Sequence, residues 1–61
     1  MFQLQIRLFN QEDWHYLNFW DIVLCFNDLG HARQEALILL DYSVTACRIV
    51  DMAGKIVQLI R

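Results

Sequence analysis

The sequence predicts a small α+β fold in which an antiparallel sheet carries one helix on one face, in the order ββαββ. Three observations predict it. Phe2, Leu4, Ile6 and Leu8 alternate with Gln3, Gln5 and Arg7, the period of a strand with one buried face. Leu29, Ala32, Ala36, Leu37 and Leu40 recur at helical spacing. Two apolar runs flank Asp51-Met52-Ala53-Gly54 near the end of the chain, as in a hairpin.

The first strand ends in the polar break Asn10-Gln11-Glu12-Asp13. Two readings of the next segment compete. In one, the break is a hairpin loop and Trp14 to about Leu24 is a second, aromatic-rich strand. In the other, Asn10 caps a helix whose first turn holds Glu12 and Asp13 at the positive end of its dipole, giving βααββ. Trp20, Ile22, Leu24 and Phe26 alternate, while Leu17, Trp20, Val23 and Leu24 have helical spacing, so the apolar positions serve both. The strand is the preferred reading, and the helix stays open as the alternative.

From Asn27 the pattern is helical. An Asn-Asp pair suits an N-cap, and the helix is expected from about Asp28 to Asp41, with Arg33, Gln34, Glu35 and Asp41 outward. Ile38 falls on that wet side. Ala36, Leu37 and Leu40 are expected to pack on Leu4, Ile6, Ile49 and Val57. In the final hairpin, Gly54 suits the left-handed position of a three-residue loop, and Asp51 is expected opposite Lys55, where their charges can pair. That register sets Ile49 against Val57 and Cys47 against Leu59 on the covered face. The other face then shows Val44, Ala46, Val50, Ile56 and Ile60 around Arg48 and Gln58. Together with Ile38, these residues form the candidate interface.

Composition narrows the function. The chain has 61 residues, 57% hydrophobic and 20% charged, a globular balance. So small a core barely offsets the entropy of ordering the chain, which favours a disulfide, a metal or a second subunit. Cys25 and Cys47 lie in apolar runs without any sign of secretion, so buried free thiols in a cytoplasmic protein are expected. The longest apolar run, Ile22 to Phe26, is too short for a membrane helix. A formal net charge of −2 with scattered Arg7, Arg33, Arg48, Lys55 and Arg61 makes nucleic acid a disfavoured partner.

The chemistry-bearing residues form no motif. His15, Cys25, His31 and Cys47 lack the close pairs by which a short loop chelates zinc, and a Cys25/His31 dyad would need an exposed thiol. The carboxylates Glu12, Asp13, Asp21, Asp28, Glu35, Asp41 and Asp51 suit caps, turns and solvated faces. Two glycines, Gly30 and Gly54, cannot build a phosphate loop. Trp14, Tyr16, Phe19 and Trp20 have acidic neighbours, which favours packing or protein contact over stacking on bases. The expectation is therefore no enzyme, no cofactor and no small-molecule substrate.

The leading "FQLQIRLF", the Trp after a polar loop in "QEDW", the helix "DLGHARQEAL" and the closing "CRIVDMAGKIV" together resemble a loose class of small bacterial and phage-encoded α+β proteins of unassigned function. The resemblance implies a sheet with one helix across it and supplies no activity. The expected function is a non-catalytic interaction domain. It either self-associates as a homodimer or docks on a larger protein, as an accessory or inhibitor protein of a phage or other mobile element. The alternative is a nucleic-acid-binding regulator that uses Gln3, Gln5, Arg7, Arg48 and Gln58.

Overall fold

The computed structural model describes residues 1–42 and 44–61. It has the α+β class expected, with an antiparallel sheet and one helix between strands. The strands are β1 (Phe2–Leu8), β2 (His15–Tyr16), β3 (Asn18–Phe19), β4 (Ile22–Val23), β5 (Cys25–Phe26), β6 (Val44–Asp51) and β7 (Ile56–Ile60), with α1 at Leu29–Leu39. The main sheet runs β2-β1-β6-β7, and β5 pairs with β1 beside β2.

The segment after the polar break is a strand with a surplus. His15 and Tyr16 face Ile6 and Gln5, the Leu17 N–H donates to the Leu4 carbonyl, and Cys25 and Phe26 face Gln3 and Phe2. These pieces form one edge strand along β1, but Asn18 to Leu24 have no place opposite it. They loop out as a second hairpin, with Asn18 opposite Val23 and Phe19 opposite Ile22, closed at its base by the Leu24 N–H donating to the Leu17 carbonyl. Trp20 and Asp21, at φ 54° and 63°, form its two-residue turn, of the kind that demands positive φ at both positions. The second strand is thus broken into β2 to β5, and the helical alternative for this segment is not observed.

The helix begins where the sequence places its cap. The Asp28 carboxylate accepts from the Gly30 N–H at 3.1 Å, satisfying one of the free donors of the first turn. Its body ends at Leu39 rather than Asp41, with Leu40 as the C-cap. It meets the sheet through Ala32 and Ala36, both fully buried, with Leu29, Leu39 and Leu40 beside them. Small residues let the helix backbone lie close to the strands. Leu37, expected in the core, is instead 53% exposed: it lies about 100° round the helix from Ala36, off the buried line. The core beneath holds Leu4, Phe26, Val44, Cys47, Ile49 and Ile60.

The last hairpin has the expected turn. The Gly54 N–H donates to the Asp51 carbonyl, and the Asp51 N–H to that of Lys55. The Asp51 carboxylate accepts from the N–H groups of Ala53 and Lys55, both at 2.9 Å. It is therefore engaged by the turn's backbone, not by the Lys55 ammonium as expected; among the described residues the one ion pair is His31–Glu35, at 3.9 Å. Gly54 has φ +84°, and a Cβ there would meet nothing within 4 Å. Gly54→Ala should accordingly cost only the left-handed backbone penalty, about 1 kcal/mol, read as a thermal midpoint about 4–8 °C lower. An unchanged midpoint would contradict this turn.

Two bulges alter the expected register. Leu8 faces Val44 while Arg7 faces Ala46, so Thr45 is the extra residue, and its hydroxyl donates to the Arg7 carbonyl at 3.0 Å. In β7, Val50 faces Ile56 but Ile49 faces Gln58, which leaves Val57 extra. A one-residue insertion exchanges the faces of everything beyond it. Arg48 therefore faces Leu59 and Cys47 faces Ile60, in place of the pairs Cys47 with Leu59, Ile49 with Val57 and Ala46 with Ile60. Val57 is 42% exposed instead of lying under the helix.

Candidate interaction surface

Partners across an antiparallel ladder share a face, so the sheet face away from the helix can be read row by row. One row is Cys25, Gln3, Val50 and Ile56; the next is Tyr16, Gln5, Arg48 and Leu59; Arg7 and Ala46 follow. Of the eight candidate interface residues, Ala46, Arg48, Val50 and Ile56 lie here. Val44, Gln58 and Ile60 do not: the bulges turn them to the helix side, where Val44 and Ile60 join the core. Ile38 is 52% exposed on the helix.

Even on the outer face, burial removes part of the patch. Trp14 lies under the Arg48 guanidinium, 4.3 Å from ring centre to Cζ, and Arg7 approaches the same ring at 5.6 Å. Such contacts are worth about 0.5–1 kcal/mol each at exposed sites. The Arg48 Nε–H also donates to the Gln5 side-chain oxygen. Both arginines of this face are thus engaged within the chain, which weakens the case for a phosphate-binding surface built on them. Ala46 and Val50 are each only 1% exposed. The apolar side chains left open on β7 are Ile56, Val57 and Leu59.

The extruded hairpin is a second exposed apolar element; it carries Phe19 and Trp20 of the aromatic set expected to pack or to contact protein, in a hairpin form that was not expected. Phe19, Trp20 and Ile22 are 64%, 81% and 69% exposed, and the Phe19 and Trp20 rings meet edge to face, 5.7 Å apart. The signal for it was present. The segment is longer than the β1 edge it pairs with, and the surplus is taken up as the hairpin. Beside it an open cleft of about 470 Å³ has Ile6, Leu8 and Leu17 among its lining, with Gln11, His15, Tyr16 and Asn18.

Cys25 is exposed, contrary to expectation, because it falls on an edge strand, on the sheet face away from the helix. Cys47 is buried, and its thiol donates to the Ala36 carbonyl at 3.7 Å. Burial pushes the Cys47 thiol above its ordinary pKa. The folded form holds this proton more tightly than the unfolded chain, so the thiol's contribution to stability is complete below the unfolded pKa and is lost as pH rises from there through the higher folded pKa. At neutral pH an alkylating reagent should label Cys25 quickly and Cys47 at the rate of unfolding. Equal labelling rates, read by mass spectrometry, would show that Cys47 is not enclosed.

Among the described residues no group of three or more His, Cys, Asp and Glu side chains could hold a metal ion, and no helix is long and apolar enough to cross a membrane. His31 stacks edge to face on Phe26, with ring centres 5.1 Å apart. Comparison with protein-family models, with curated proteins and with solved structures finds no match to this chain.

Proposed function

We propose that the chain is a non-catalytic protein-interaction domain that associates with itself. The observation that carries this reading is β7, the terminal strand of the sheet order, whose Ile56, Val57 and Leu59 are 50%, 42% and 45% exposed. A contiguous apolar strip beside unpaired backbone groups is a docking surface in small proteins. The rest of the surface supports the same reading, since the hairpin tip and the helix residues Leu37 and Ile38 add further exposed apolar side chains. Burying part of this area between subunits would supply the stabilisation that so small a core lacks.

Sedimentation from micromolar to millimolar concentration tests it. A mass rising from monomer to dimer is expected, and a single species of monomer mass throughout would refute self-association. Charge substitutions should be placed at Ile56 and Leu59. Val50 is unsuitable: buried to 1%, it would carry a lysine into the interior and unfold the chain whether or not it dimerises.

A further inference from the structure

We infer that a second copy of the chain extends the sheet across β7, strand against antiparallel strand, about a two-fold axis at Leu59. This rests on the self-association proposed above and names its surface. β7 pairs with β6 on one side only. At the other end of the sheet, the β1 edge is already taken by β2 and β5, and the outer edge these make is interrupted by the hairpin extruded between them. β7 is five residues long, Ile-Val-Gln-Leu-Ile, without proline or charge. Edge strands are ordinarily blunted by lysine, proline, shortness or a bulge, and here only the bulge at Val57 is present.

The register follows from which way the side chains point. Beyond the bulge, Gln58 and Ile60 face the helix side, opposite Ile49 and Cys47, while Leu59 faces outward opposite Arg48. A two-fold axis normal to the sheet keeps each face continuous, so residues paired across it must share a face. Pairing about Leu59 satisfies this. Leu59 meets Leu59 of the second copy on the outer face, and Gln58 meets Ile60 of the second copy on the helix side. The strand is nearly palindromic about Gln58, which offers a rival register. That register would set the outward Ile56 against the inward Ile60 of the second copy, and Lys55 against Arg61 of the second copy. It fails on both pleat and charge.

Disulfide trapping distinguishes the registers. In a Cys25→Ser background, where the buried Cys47 is out of reach, Leu59→Cys should form an intermolecular disulfide under mild oxidation. Opposed antiparallel residues lie about 4.5–5.5 Å apart at Cα, within bonding range. In the same register two copies of residue 58 lie about 8 Å apart, so Gln58→Cys should not cross-link. Leu59→Lys, with its fold confirmed by circular dichroism, should weaken association by roughly tenfold or more, since it places two like charges on the axis. Cross-linking of Gln58→Cys alone, or a Leu59→Lys variant that dimerises as tightly as the parent, would overturn this interface and leave self-association standing. A parent that is monomeric at every concentration would overturn both.

Discussion

Ile49→Ala is expected to melt about 10–40 °C below the parent. Ile49 is fully buried, faces Leu4 on one side and Gln58 on the other, and belongs to the core under the helix. Truncating a buried isoleucine costs about 2–5 kcal/mol, because apolar contact is lost and the cavity only partly collapses. In a domain of this size each 1 kcal/mol moves the midpoint by about 4–8 °C. The whole stability of 61 residues is of order 3–9 kcal/mol, so the single change removes a large share of it. Thermal and urea melts followed by circular dichroism read the loss directly. Leu40→Ala should cost less, since Leu40 is only partly buried at the helix C-cap. An Ile49→Ala melt that overlays the parent would show that the core lies elsewhere.

Ala36→Leu is the next largest, at about 1–3 kcal/mol of destabilisation. Ala36 is fully buried where the helix crosses the sheet, and its carbonyl accepts from the Cys47 thiol on β6. Three added carbons have no space there, so the helix must shift off the sheet and loosen Ala32 and Leu29 with it. The neighbouring residue supplies the contrast. Leu37 is 53% exposed, and Leu37→Ala should stay within about 0.5 kcal/mol of the parent, as surface changes do. If Leu37→Ala cost more than Ala36→Leu, the helix would present its other side to the sheet.

These paired outcomes bear on what could be read from residues alone. The first strand, the Asp28 cap and the Asp51–Gly54 turn are legible because their determinants are local: alternation, a carboxylate two residues before a free N–H, and a glycine where φ must be positive. The orientation of the helix was legible but for one residue. Leu29, Ala32, Ala36 and Leu40 lie on the sheet side as their spacing predicts, while Leu37, one position from Ala36, is turned to solvent because the close approach of helix and strands at the alanines sets the buried line. The candidate interface was half legible. Its β6 residues from Ala46 to Val50 alternate as expected, but Val44, Gln58 and Ile60 lie beyond insertions that no local pattern marks.

The sequence by itself determined the class of fold, the break after the first strand, the helix cap, the Asp51–Gly54 turn and the poverty of the core, since propensity, capping and composition act over a few residues and need no partner strand. Tertiary structure alone decided which side chains share a face. A bulge at Thr45 and another at Val57 each add one residue to one side of a ladder, and the surplus Asn18–Leu24 leaves the sheet because β1 is too short to pair with it. Register is a property of two strands together. Its period is two residues, so each single-residue insertion reverses what is buried and what is offered to a partner.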